Sequence, residues 1–351
     1  MIDRRHFARI AAVSGLAAAA PLLAAQRQPA GSTRNVIKPK RLIEGDLVGL
    51  VLPASRAFEA EEIHLARRQL EAIGFRVRIG EHAFDRHGYF AGTDRHRAAD
   101  INAMFAAADL AGVFCYTGGW GSPRVLPHLD YDLIRRNPKV LIGFSDITAL
   151  LNAVQMRTGL VTFHGPVAAS NVTPYTLENM KRVIMSDQPV GILENPAKLD
   201  DELVNRRYYV TTIRGGRARG RIVGGNLTLI AALMGTPYEI DTEGALLFLE
   251  DVHEEPYRVD RMLTQLALGG KLDRVAGVVF GRCSDCPVRG VTFSIEEILR
   301  DRFEPLGVPT VYGFAFGHIE QKLTLPIGLG AMLDADRGVV EIDEPAVAPR
   351  G

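Results

Sequence analysis

The sequence predicts an α/β fold, with an N-terminal Rossmann-like parallel sheet carrying helices on both faces and a smaller C-terminal mixed α/β, barrel-like domain. Strand-like and helix-like runs alternate from residue 47 to residue 116, the pattern of a parallel sheet covered by helices. After residue 168 the composition turns polar and proline-containing, and short strand-like runs resume beyond residue 213. At 351 residues, 47% of them hydrophobic, the chain is long enough to bury two cores.

Taken in order, residues 1–30 read as a targeting segment. Arg4-Arg5-His6-Phe7 precedes an alanine-dominated apolar stretch from Ile10 to Ala25, as in a twin-arginine export signal. That stretch is shorter than the roughly 20 residues that span a bilayer, so no stable membrane insertion is expected after cleavage. It holds no cysteine for a lipid anchor. The expectation is a periplasmic protein whose mature chain begins between about residues 25 and 31. Residues 27–41 are polar and read as a tail.

Residues 42–168 form the expected N-terminal domain: strands over 47–52, 76–79 and 112–116, and helices over 60–73 and 94–107. Residues 169–213 read as an interdomain connection with one helical patch. Residues 214–347 form the expected C-terminal domain. Its strands are placed at 220–223, 245–250, 275–280 and 338–342, with helices at 258–268 and 295–303.

Charge narrows the partners. Lys plus Arg and Asp plus Glu both number 41, so no overall field favours nucleic acid or an anionic membrane. A small neutral or zwitterionic substrate fits. Cys115, Cys283 and Cys286 are an odd set, and Cys283-Ser284-Asp285-Cys286 has no second half to complete a zinc site. They read as incidental thiols, with a local disulfide open to an exported protein.

The segment PKVLIGFSDITALLNAV (138–154) carries the most chemistry. Val140-Leu141-Ile142 is a buried strand, Gly143 permits a tight turn, and an amphipathic helix follows with Ile147, Leu150, Leu151 and Val154 on one side. Ser145 therefore sits at a strand-to-helix junction, where free N–H groups can hold an oxyanion. Alone, the motif reads as a helix cap, because Ile147 replaces the last glycine of G-x-S-x-G.

Further motifs change that reading. GLVLPAS, AGTD, YTGGWG, LDYDLI, NPKVLIGFSDITAL, TFHGP, GGNL, MGTP, LEDVHEEPYRVDRML, GFAFGH and LPIG occur in this order between about Gly45 and Ile342. The chain resembles the LD-carboxypeptidase family of serine peptidases, which includes murein tetrapeptide carboxypeptidases and microcin C immunity peptidases. The resemblance places the nucleophile in the GFSD motif, the acid in LED and the base in FGH. Carried over, these are Ser145, Glu250 and His318.

A serine hydroxyl needs a base of near-neutral pKa, and the base needs a carboxylate to fix its tautomer. Backbone N–H groups of Asp146 and of Gly119, in the glycine-rich turn, are the candidate oxyanion donors. Ser122 is set aside as nucleophile because Pro123 removes the following N–H. Asp251, Glu254 and Glu255 read as surface or supporting groups. Trp120 is either an apolar wall of the cleft or a core residue. Thr117 stands where many members of the family carry a basic residue, so an ionic substrate contact there is not expected.

The resemblance implies removal of a terminal D-amino acid, D-alanine, from a peptidoglycan tetrapeptide, with no metal and no cofactor. The expected partner is a small peptide or muropeptide, and a homodimer is left open. The alternatives are a microcin C immunity-type peptidase acting on an aminoacyl-nucleotide amide and a non-catalytic muropeptide-binding protein.

Overall fold

The computed structural model describes residues 36–198 and 202–350, which belong to one compact unit. The expected export segment lies outside the described residues. A six-stranded sheet runs in the order Leu325–Ile327, Thr162–His164, Val140–Gly143, Gly112–Cys115, Leu47–Val51, Arg76–Ile79. All neighbours are parallel except the first strand, which reaches over from the C-terminal half of the chain. Its role is positional: it ties residues just past His318 to the strand following the Ser145 helix.

Side chains alternate across this sheet, so the two faces feed different cores. Leu50 and Phe114 point to one side with Ile63 and Leu70 of helix Ala60–Ile73. Val113 and Cys115 point to the other with Ile101 and Phe105 of helix Asp94–Ala106. The expected helices on both faces are therefore present.

The second sheet is a curled half-barrel of mixed direction. Its centre is the parallel set Arg217–Asn226, Ala245–Val252, Gly277–Ser284 and Thr310–Tyr312. Helices Pro256–Leu268 and Ile295–Phe303 cover one face through Val259, Leu263, Ile298 and Phe303. The other face, with Leu246, Phe248, Val279 and Phe316, shares a continuous core with the first sheet. That shared core brings the carboxyl ends of strands from both sheets to one place.

Three expectations need correction. The helix Thr148–Thr158 is not amphipathic: nine of its eleven residues are buried. It lies between its own sheet and the strand Arg217–Asn226, and its polar side meets backbone, with Asn152 donating to the Gly224 carbonyl at 2.8 Å. Residues 36–41 are not a free tail, because Ile37 bridges to Leu160 and Lys40 to Ala348 through backbone hydrogen bonds that polarity does not reveal. The interval 169–213 contributes the buried-faced helix Pro174–Ile184 and the strands Gly191–Leu193 and Thr211–Arg214 to the body of the protein, which gives the second sheet eight strands.

Candidate active site

The junction at Ser145 is bent by the backbone. Strand Val140–Gly143 ends at a glycine whose Cβ would lie 2.8 Å from Ile147 Cγ2, and Phe144 is extended (φ −152°, ψ −173°). Ser145 then takes φ +65°, the left-handed region that a non-glycine residue occupies only when its surroundings impose it. A 3-10 turn over Ser145–Ile147 leads into the helix. Neither Ser145 nor Asp146 caps that helix through its side chain, so the capping reading of the motif falls.

The serine hydroxyl points to the other half of the chain. Ser145 Oγ is 2.9 Å from His318 Nε2, and His318 Nδ1 is 2.7 Å from Glu250 Oε2. The same carboxylate oxygen accepts the His318 backbone N–H at 3.2 Å. This close seat needs a glycine before the histidine: a Cβ on Gly317 (φ +88°) would fall 2.3 Å from Glu250 Oε2. The Phe144 ring meets the imidazole edge-on, with centroids 4.9 Å apart.

Glu250 is fully buried in the strand Ala245–Val252. Burial alone would push its carboxyl up. The hydrogen bond and charge of His318, then His164 and the Asn226 amide, outweigh burial and hold it below the usual range. Asp251 is also buried, accepting from Asn226, Thr228 and the Val252 N–H. Burial and the neighbouring Glu250 charge raise it to about 6. Asn226, in the GGNL motif, thus touches both acids while capping the helix Leu227–Ala232. The sequence reading gave it no role.

The glycine-rich turn packs onto Ser145. A Cβ on Gly118 would lie 2.8 Å from Ser145 Oγ and 3.2 Å from the Asp146 nitrogen. Gly119 (φ +95°) comes so close to Ser55 that a side chain there would overlap its hydroxyl. Ser55 clamps the turn, its N–H donating to the Gly118 carbonyl and its Oγ accepting from the Trp120 N–H at 3.1 Å. The Gly119 N–H has no acceptor among the described residues.

Ser122 is buried and both of its polar groups are taken up by Asp146. Its Oγ donates to the Asp146 carbonyl, and its N–H donates to the Asp146 carboxylate at 2.6 Å. The elbow and the glycine turn are thereby joined. Burial raises the Asp146 carboxyl, and the Ser122 hydrogen bonds partly offset it. Trp120 is 53% exposed, so it is not a core residue; its ring stacks on Phe90 and meets Tyr89 edge-on.

Two more groups border Ser145, His318 and Glu250. His164 is buried against Phe144 and Phe316, and burial lowers its pKa to about 4, so it is neutral in ordinary buffers. Lys322 is 7% exposed, with its ammonium 4.8 Å from the centre of the Phe144 ring and no carboxylate within ion-pair distance among the described residues. Burial lowers its pKa, while Glu250 and Glu320 oppose that. Cys283 and Cys286, expected as incidental thiols, are joined in a disulfide with Cα atoms 5.6 Å apart.

A parallel-rich sheet and a curled half-barrel, with a serine, a histidine and a buried glutamate brought together by both, define the class as a two-sheet α/β peptidase. Residues 48–165 match the LD-carboxypeptidase N-terminal domain and residues 219–333 the LD-carboxypeptidase C-terminal domain. The chain belongs to the LD-carboxypeptidase family.

It is 40% identical over 299 residues to the "Probable murein peptide carboxypeptidase" of Bacillus subtilis, covering 85% of this chain and 91% of that protein. It is 34% identical over 298 residues to the murein tetrapeptide carboxypeptidase of Pseudomonas aeruginosa, covering 83% and 94%. The solved structure of the microcin C7 self-immunity protein MccF in its wild-type apo state, a protein of Escherichia coli, superposes with a TM-score of 0.81 at 27% identity. That match covers 89% of this chain and all of the other.

Proposed function

We propose that this protein is a serine LD-carboxypeptidase that releases the terminal D-alanine of a peptidoglycan tetrapeptide from its L-centre. The observation that carries the reading is the unbroken relay from Ser145 Oγ to His318 Nε2 at 2.9 Å and from His318 Nδ1 to Glu250 Oε2 at 2.7 Å. Ser145 attacks the carbonyl as His318 accepts its proton, and the oxyanion is met by the N–H groups of Asp146 and Gly119. His318 then protonates the leaving amine, and a water activated by the same imidazole hydrolyses the acyl-enzyme. Glu250 stays ionised and orients the ring.

A carboxypeptidase must also recognise a free terminal carboxylate. We assign that role to Lys322, whose ammonium stands beside Phe144, the residue before Ser145, and pairs with no carboxylate among the described residues. Thr117, by contrast, carries no charge. The MccF likeness supports a second reading, cleavage of an aminoacyl-nucleotide amide. The disulfide favours an oxidising compartment and so the exported, wall-directed reading.

Labelling with a fluorophosphonate followed by peptide mapping separates an enzyme from a muropeptide-binding protein. A Ser145 adduct supports the enzyme, and turnover of the tetrapeptide in preference to an aminoacyl sulfamoyl adenosine supports the substrate. Export is tested by Arg4→Lys with Arg5→Lys, which should hold active precursor in the cytoplasm. Full processing of that variant would overturn the twin-arginine reading.

A further inference from the structure

Away from the triad, three side chains converge on one point. His82 Nδ1 lies 2.9 Å and His96 Nδ1 3.1 Å from the same oxygen, Asp85 Oδ2. The two imidazoles are stacked, with centroids 4.2 Å apart and 16° between their planes. All three donor atoms fall within 4.8 Å of one another, the one such group among the described residues. Around a tetrahedral zinc with bonds of about 2.0–2.1 Å, neighbouring donors stand about 3.3 Å apart. The two nitrogen–oxygen separations need open by only a few tenths of an ångström, and the stacked rings must turn about their Cβ–Cγ bonds so that both Nδ1 lone pairs meet the ion.

We propose that His82, Asp85 and His96 form a binding site for a divalent transition-metal ion, zinc by its donor set, with a fourth position left to water. Two imidazoles and one carboxylate suit zinc over magnesium or calcium, which prefer oxygen ligands. Each histidine would coordinate through Nδ1 as the neutral ring that carries its single proton on Nε2.

The backbone around the site is already set. The His82 N–H donates to both carboxylate oxygens of Asp100, at 3.1 and 3.3 Å, which anchors the loop to helix Asp94–Ala106. His96 sits in the first turn of that helix, its N–H accepted by the Thr93 hydroxyl. Gly92 (φ +78°) closes the remaining side, where a Cβ would come 3.2 Å from His96 Nδ1 and 3.3 Å from Asp85 Cβ. The site is therefore spanned by a short loop and a helix start that meet at the donors.

Its position suggests its use. The segment between Asp85 and His96 carries Tyr89 and Phe90, the two rings that support Trp120 at centroid distances of 5.5 Å. An ion joining Asp85 to His96 would fasten both ends of that segment and steady the aromatic support beside the glycine turn. The hydrolytic steps proposed above use none of these three residues.

The test uses untagged mature protein, stripped with chelator and titrated with zinc chloride by calorimetry. One equivalent should bind to the wild type, and His96→Ala and Asp85→Ala should each weaken binding at least tenfold. Diffraction at the zinc edge from wild-type crystals should place an anomalous peak between His82 Nδ1, Asp85 Oδ2 and His96 Nδ1. No stoichiometric binding, equal affinity in wild type and both variants, or a peak elsewhere would overturn the assignment. The edge measurement needs no variant, so it decides the matter even if a substitution harms folding.

Discussion

The ring of His318 and the carboxylate of Glu250 form a closed pair, because one oxygen, Oε2, accepts both the ring N–H and the backbone N–H of the same residue. The imidazole therefore has one orientation, with Nε2 presented to Ser145. Glu250→Gln keeps the shape but offers an amide NH2 that can stabilise the wrong tautomer. Turnover should fall by about 10²–10⁴, by analogy with other triads, with the melting temperature little changed. Wild-type turnover in that variant would remove Glu250 from the mechanism. His318→Ala is a poorer test, since it strands a buried charge, at a cost of about 3–5 kcal/mol.

Gly118→Ala probes the space above Ser145. The added methyl would sit 2.7 Å from Ser145 Cβ and 2.8 Å from Oγ, where neither the elbow nor the clamped turn can yield cheaply. We expect kcat/KM to drop by about 10²-fold or more, comparable to losing an oxyanion donor. Steady-state kinetics beside a thermal melt would separate this from unfolding, and an active, folded variant would place the acyl group elsewhere.

His164 makes stability depend on pH. Its pKa is about 4 in the folded protein against an ordinary 6.5, so between these values the unfolded chain binds more protons and acid favours unfolding. The full gap corresponds to about 3 kcal/mol lost as the pH falls from 7 to 4. His164→Phe should lose correspondingly less over that range, read from urea midpoints at the two pH values. Parallel loss in both proteins would show that the acid sensitivity arises elsewhere.

Lys322→Met keeps the stem and removes the charge. If the ammonium receives the terminal carboxylate, kcat/KM should fall about 10–150-fold, the worth of a charge-assisted hydrogen bond of about 1.5–3 kcal/mol. A substrate with an amidated C-terminus should not distinguish the two enzymes. Equal penalties on both substrates would assign Lys322 to packing on Phe144.

Much of this was legible in the sequence for a physical reason. Helix Ala60–Ile73 shows its 3.6-residue apolar period because one face is solvated, and the strands Leu47–Val51 and Arg76–Ile79 announce themselves by apolar or β-branched runs between turn residues. Helix Thr148–Thr158 departs from the amphipathic expectation because a helix buried between two sheets has no polar face to report. Residues 36–41, Gly191–Leu193 and Thr211–Arg214 join the body through backbone pairing, which composition does not encode. In the site, Ser145, Glu250 and His318 were nameable because motif and chemistry coincide. Asn226, Ser55, His164 and Lys322 were not, since their roles depend on which distant chain segment they meet. His82, Asp85 and His96 follow no standard ligand spacing, and only the fold brings them together.

The most direct test of the central claim is the release of free D-alanine from an L,D-linked muropeptide tetrapeptide by wild-type protein and by Ser145→Ala, quantified by chiral chromatography. Wild-type protein should release D-alanine in step with tripeptide formation, and Ser145→Ala should release none above the uncatalysed rate while melting at the wild-type temperature. Release by Ser145→Ala at the wild-type rate would contradict the account.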